Sequence, residues 1–247
     1  MLKEERREII ISIVNKNGFV DNRKLAEITN STIQTIIADV RELSDEGSVI
    51  KVYGGAKSIN AINHYQLKES FDEEKAKINI EAKNLIGKKA TNIINEGDLI
   101  FIDTGTTTKK MISYLSNRNV NVVTNGYSIA LELMEQDIDV CIIGGTILPS
   151  THATVGELSL KFIDHFYFDK VFIGMNNIDE NSYYTTNIQE ALIKERVIKN
   201  SNKAFILADS SKFNSKNKIK VDIQKKVTLI SDKTPHNFKG EVIICNK

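Results

Sequence analysis

The chain has 247 residues, 41% hydrophobic and 26% charged, with 33 Lys/Arg against 32 Asp/Glu and a formal net charge of +1. That length accommodates one large domain or a small one with a medium one, and no apolar run approaches the roughly 20 residues that span a bilayer. Two cysteines and four histidines without metal or disulfide spacing, no cleavage signal and a near-neutral charge lead us to expect a cytoplasmic protein with no metal, cofactor or membrane contact.

Residues 2 to 17 are predicted to be helical, with Ile9, Ile10, Ile13 and Val14 at helical spacing, closed by Asn17-Gly18. After a short turn, Asp21 is the expected N-cap of a second helix carrying Leu25, Ala26 and Ile28. Thr29 to Thr32 connects it to a third, in which Ile33, Ile36, Val40 and Leu43 form one apolar face. The β-rich run Ser48 to Tyr53, stopped by Gly54-Gly55, follows as a wing, so residues 1–57 form a trihelical unit with a wing. Its nine Lys/Arg face nine Asp/Glu, so the pattern carries this reading and the charge does not.

Residues 58–78 read as a polar linker that turns helical near Phe71, and a larger domain is expected over 79–247. It opens with a helix from Ala82 to Ile94. Apolar runs then alternate with helical patterns at Leu99 to Ile102, Val120 to Val123, Val140 to Ile143, Val171 to Ile173, Ala204 to Leu207, Val227 to Ile230 and Val242 to Ile244. Short continuous apolar strands separated by helices predict an α/β domain with a mostly parallel sheet covered on both faces.

Ligands of such sheets collect outside the carboxyl ends of the strands. There the sequence places Asp103, Thr104, Gly105, Thr106 and Thr107, then Thr124-Asn125, Gly144-Gly145, Gly174 and Lys212. A strand running into a Gly/Thr-rich turn and a helix offers unpaired amides, hydroxyls and a helix dipole to an anion, and phosphate is the natural guest. Taken alone, such a turn serves equally well as a helix cap. Glu190 and Lys194, four residues apart, are either ligand groups or an i,i+4 ion pair. His152, in a loop after Gly144-Gly145, has no assigned role.

Together these motifs resemble the DeoR family of bacterial sugar-metabolism regulators over nearly the whole chain. The resemblance rests on Glu5-Arg6-Arg7, Leu25-Ala26, Thr35-Ile36 with Asp39, Val52 to Ala56, Lys83, Gly97-Asp98 and Asp103 to Thr107. It continues through Thr124-Asn125, Gly144-Gly145, Asp169-Lys170, Glu190-Ala191 with Lys194, and Ala208 to Phe213. It implies a winged helix-turn-helix that binds operator DNA, joined to an effector domain similar in fold to ribose-5-phosphate isomerase that binds a phosphorylated sugar. The expected assembly is a homodimer or homotetramer, acting as a repressor of a carbohydrate-utilisation operon, with no enzymatic activity and no catalytic residues.

On the third helix Gln34, Thr35, Ala38 and Arg41 are expected to face DNA, with Ile37 at the border, and Arg6, Arg7, Lys51 and Lys57 to contact phosphates. Gln34 suits adenine, and Ile37 or Ala38 suits a thymine methyl, so an A·T-rich site is expected. The family usually has two arginines where this chain has Ile37-Ala38, arginine where it has Lys75, and glycine where it has Asn214. Two alternatives stand beside this reading. One is a sugar-phosphate sensor that has lost operator binding; the other is an isomerase-like enzyme, whose acidic and glycine-rich signatures are absent.

Overall fold

The structure, a computed structural model, describes residues 2–58, 75–116 and 118–245. The chain divides into two compact units, Met1–Gln66 and Leu67–Lys247. The expected linker, with its helical turn near Phe71, lies largely outside the described residues.

In the first unit α1 (Lys3–Asn17) is followed by β1 (Phe19–Asp21), α2 (Asn22–Thr29), α3 (Ile33–Asp45), β2 (Ile50–Val52) and β3 (Gly55–Lys57). Asp21 caps α2 as expected, accepting from the Arg23 and Lys24 amides at 3.0 Å, and Thr32 caps α3 by accepting from the Thr35 amide. Between the helices Asn30 adopts the left-handed conformation (φ 49°), which turns the chain sharply. Ile10, Val14, Leu25, Ile36, Val40, Leu43 and Val49 close the core. Ile33, expected inward, is 41% exposed: it is the first residue of α3 and precedes the turn that packs. The expected turn at residues 19–21 is a strand. It pairs antiparallel with β3, so the wing is a three-stranded sheet in the order β1-β3-β2.

The second unit begins with α4 (Ile80–Thr91), β4 (Leu99–Ile102), a 3-10 helix (Thr108–Tyr114), β5 (Asn121–Thr124), α5 (Tyr127–Met134) and β6 (Val140–Ile142). A hairpin of β7 (Thr146–Ile147) and β8 (Thr154–Val155) leads to α6 (Glu157–Ile163) and β9 (Phe168–Gly174). Then come β10 (Asn177–Asp179), β11 (Ser182–Thr185), α7 (Ile188–Lys199), β12 (Ser201–Leu207), β13 (Ile219–Val221), β14 (Val227–Ser231) and β15 (Glu241–Ile244). The seven apolar runs read from the sequence are the seven strands of one sheet, β15-β14-β12-β9-β4-β5-β6, with every neighbouring pair parallel.

Side chains alternate across this sheet, so Ile100 and Ile102 pack with Ile86, Met111 and Leu115 on one face while Phe101 packs with Val171, Ile193 and Val197 on the other. Burial on both faces explains why each strand reads as a continuous apolar run. Gly87 lets α4 approach the 3-10 helix: a Cβ there would lie 2.7 Å from the Lys110 carbonyl carbon. At the amino ends of β4 and β9, buried Lys170 donates to Asp98 at 2.5 Å, and Asp169 accepts from the Leu99 amide at 2.9 Å. These pairs clip neighbouring strands together at the end of the sheet opposite the polar turns.

Candidate functional site

Chain order runs outward from β4 to β6 on one side of the sheet and from β9 to β15 on the other. The topological switch therefore lies between β4 and β9, where a crevice opens beyond the strand ends. A cavity of about 50 Å³ occupies that place, lined by the turn 104–107 after β4, by 174–176 after β9, and by Thr151, Glu190, Lys194 and Lys212 among others. A wider cavity of about 490 Å³ lies on the outer surface of α6 and α7, lined by residues such as Leu160, Leu192 and Arg196. It brings together none of the strand-end groups, so the smaller cavity is the chemically distinctive one.

The amides of 105–107 donate to no acceptor among the described residues, and all three residues line the cavity. Their turn is braced from behind: the Thr104 amide donates to Asn125 Oδ1 at 2.9 Å and Thr108 Oγ1 donates to the Asp103 carbonyl at 2.7 Å. The helix that follows is a 3-10 helix of seven residues, so the expected dipole contribution gives way to these three amides.

Asp103 is fully buried and lies behind the lining rather than in it. Its Oδ2 accepts from Lys194 Nζ and, at 3.0 Å, from the Gly174 amide. Burial pushes the Asp103 carboxyl above the usual carboxylate range, against the pull of Lys194 and the hydrogen bonds from its neighbours. Glu190 reaches the wall from α7, with Oε1 accepting from Thr151 Oγ1 at 2.7 Å and Oε2 from Thr185 Oγ1 at 3.3 Å. The structure thus adds a cross-sheet pair, Lys194 with Asp103, to the i,i+4 relationship seen in the sequence.

Besides Asp103, four further expected ligand residues are placed outside the cavity. Thr124 is wholly buried, its hydroxyl donating to the Ile102 carbonyl at 2.6 Å, and Asn125 is spent on the Thr104 amide, so both brace the site from outside the cavity. Gly144 and Gly145 belong to the approach to the β7–β8 hairpin, where the Gly144 carbonyl accepts from Ser159 at 2.6 Å. They do not line the cavity.

Several lining and supporting residues are not among the ligand residues expected from the sequence. Thr151 comes from the loop that also carries His152, whose own side chain is exposed. Lys75 lines the wall, and its carbonyl accepts from Lys83 Nζ at 2.5 Å. Burial lowers the Lys83 ammonium below its ordinary value; Asp209 opposes this while Lys212, Lys110 and Lys75 add to it. Burial alone would raise Asp209, but hydrogen bonds from Ser211 and Asn79 and the charge of Lys212 bring it below the usual carboxylate range. The signal available for Lys83 was an apolar helix face interrupted by one lysine.

In the winged unit, three cations of α1 pair with carboxylates on or just after α3. Arg6 Nε lies 2.6 Å from Asp39 Oδ2, Arg7 pairs with Glu46 and, at 3.8 Å, Glu42, and Lys3 pairs with Glu42 at 2.7 Å. This corrects the expectation that Arg6 and Arg7 are free for phosphates: each guanidinium is occupied by a carboxylate of the same unit. Thr35 is half-buried, its hydroxyl sharing a 2.8 Å hydrogen bond with Thr32. Gln34, Ile37, Ala38, Arg41, Lys51 and Lys57 are exposed, and the last three form no ion pair among the described residues.

A winged trihelical unit ahead of a parallel α/β unit, with a donor-lined crevice at its switch point, defines a two-domain DNA-binding regulator with a built-in sensor. The DeoR-like helix-turn-helix domain matches residues 6–61 and the DeoR C terminal sensor domain matches residues 78–233. The chain belongs to the DeoR family and is a DNA-binding transcriptional regulator of that type.

It is similar to the HTH-type transcriptional regulator FruR of Bacillus subtilis (strain 168), at 35% identity over 86% of this chain and 84% of the relative. It is also similar to the lactose phosphotransferase system repressor of Staphylococcus epidermidis, at 31% identity over the same shares. Among solved structures, ribose 5-phosphate isomerase A from Methanocaldococcus jannaschii matches at 19% identity and a TM-score of 0.41, over 54% of this chain and 54% of that one. The chain thus spans about half the length of that isomerase, and the likeness has no bearing on activity. Among the described residues no helix is long and apolar enough to cross a membrane, and no cluster of His, Cys, Asp and Glu is arranged to hold a metal ion.

Proposed function

We propose that the protein is a cytoplasmic repressor of a carbohydrate-utilisation operon whose sensor unit binds a phosphorylated sugar in the strand-end cavity. The observation that carries this reading is the set of three unsatisfied amides at 105–107 sharing one wall with Lys212 and Lys75. Amides and ammonium groups converging on one small volume suit a phosphate dianion. Thr106 and Thr107 add hydroxyls, the Thr104 hydroxyl being spent on the Thr151 carbonyl; Glu190 and Lys194 address the sugar hydroxyls, and Gly174 keeps the wall clear of a side chain. Asp103 acts through Lys194 as a positioning residue, and Thr124 and Asn125 through the turn they brace.

In the winged unit, Gln34, Ile37, Ala38 and Arg41 meet the bases of operator DNA and Lys51 and Lys57 its phosphates, with Thr35 limited to its hydrogen bonds with the cap Thr32. One short recognition helix reads few base pairs, so a two-fold homodimer, or a tetramer built from it, supplies the second half-site. The reading is non-enzymatic: Asp103 is held against an ammonium and an amide behind the lining, and Glu190, which lines the cavity, is engaged by the Thr151 and Thr185 hydroxyls.

The test is a thermal-shift panel of pentose and hexose phosphates against the free sugars. A phosphate at 100 times its Kd adds about 2.7 kcal/mol of stability. Lys212→Ala is expected to abolish most of that gain and to leave DNA binding in place. Equal stabilisation by free sugars would show that the amide turn is not an anion site.

A further inference from the structure

We infer that the protein selects its DNA site through thymine methyl groups, read by Ile33 and Ile37; this rests on the proposal that α3 enters the major groove. Ile33 and Ile37 are 41% and 42% exposed, large apolar side chains facing solvent one helical turn apart. Gln34 and Ala38 extend the same surface. In the major groove the apolar group that a base pair presents is the thymine C5-methyl, so an isoleucine gains burial there and nowhere else along the base edges.

The charge distribution fixes which half of α3 faces the duplex. Between 33 and 41 the single acid, Asp39, is 3% exposed and neutralised by Arg6, and Arg41 adds a cation. Beyond it, Glu42 and Glu46 take up Lys3 and Arg7, and exposed Asp45 has no ion pair among the described residues, so that half offers phosphates no free cation. The amino-terminal half therefore enters the groove, as the leading residues of recognition helices do. With Arg6 and Arg7 occupied, apolar contact carries a larger share of the discrimination than arginine pairing with guanine.

Four residues of helix rise about 6 Å, close to two base-pair steps of about 3.4 Å. Each half-site is accordingly expected to offer two thymine methyls at about that separation. Gln34, between the two isoleucines in sequence, is suited to an adenine nearby.

The experiment uses the full-length protein, a pool of duplexes randomised over a central stretch, and low salt without sugar phosphate. The enriched duplex is remade with deoxyuridine replacing each thymine in turn, which removes one methyl and leaves every hydrogen bond unchanged. Loss of about fourfold in affinity per methyl is expected at two positions per half-site, the factor for burying one carbon group. In the Ile33→Ala/Ile37→Ala variant, whose changes are at exposed positions, the same replacements should have no effect. If the all-deoxyuridine duplex binds the natural protein as tightly as the thymine one, the methyl inference is overturned while operator binding stands. If no duplex is enriched, the docking of α3 in DNA falls, and the inference with it.

Discussion

Arg6 and Asp39 lock the first helix of the winged unit onto the third: Nε lies 2.6 Å from Oδ2 and Nη2 3.2 Å from Oδ1. The fork-to-carboxylate geometry fixes both orientation and distance. It also spends on folding an arginine that the sequence offers to DNA.

Removing one partner strands the other. Arg6→Met is expected to lower the melting temperature of the winged unit, because Asp39 is left under the helix without a guanidinium. Arg6→Met/Asp39→Leu should recover much of the loss, since no charge is left unpaired. Calorimetry of the wild type, both single variants and the double variant gives the coupling. A single variant as stable as the wild type would show that the pair is ornamental.

A second prediction concerns the sensor. Lys194→Met breaks a pair in which both side chains are buried, which costs about 3–5 kcal/mol. Burial holds the Asp103 carboxyl above its ordinary value and Lys194 opposes that rise. A raised folded value means that the folded chain retains a proton the unfolded chain has released. The contribution of this group to stability thus falls as pH rises from the unfolded to the folded value. Without Lys194 the folded value climbs further, so the deficit of the variant should shrink as pH is lowered. Urea unfolding of both proteins from about pH 8 to about pH 5 checks this. A deficit constant across that range would contradict it.

Gly87→Ala sets two effects against each other. Alanine is favoured over glycine in a helix by about 1 kcal/mol. A Cβ at 87, however, would sit 2.7 Å from the carbonyl carbon and 2.8 Å from the Cβ of Lys110, where backbone must move, and overpacking of this kind costs about 1–3 kcal/mol. The net expectation is destabilisation, together with weaker sugar-phosphate binding as the 3-10 helix shifts the amide turn. Denaturant midpoints measure the first and calorimetric titration the second; a stabilised variant would show that the helices separate freely.

Placing arginine at both 37 and 38 should tighten binding to any duplex and steepen its salt dependence, by about 0.9 in the logarithmic slope for each phosphate engaged. Anisotropy titrations at several salt concentrations read both quantities. An unchanged slope would place this face of α3 away from the backbone.

The sheet was legible because strands buried on both faces are written as uninterrupted apolar runs, and Leu99 to Ile102 is one. The strand Phe19–Asp21 was not, since three residues ending in a helix cap carry no period. Nor were β10, β11 and β13, which are short, carry polar residues such as Asn177, Ser182 and Lys220, and pair among themselves at the margin. In the site, the turn after β4 could be placed from the strand before it. Thr151, in the loop of the β7–β8 hairpin, Asn176, in the short step from β9 to β10, and Lys75, ahead of α4, lie in connections whose course no local pattern specifies. The partners of Arg6 and Arg7 were hidden for a related reason: a balanced charge count cannot tell which carboxylate lies beneath which guanidinium.

The strand-end cavity draws its walls from stretches as far apart as Lys75 and Lys212, whereas the winged unit closes its core within its first 56 residues, from Ile10 to Ala56. During synthesis, at about 5–20 residues per second, the roughly 150 residues between the end of the wing and Lys212 take about 8–30 s to appear. Through that interval a nascent chain carries every residue of the winged unit's core and an incomplete strand-end cavity. On the proposed function, each newly made molecule is therefore insensitive to sugar phosphate until its last crossover has been laid down.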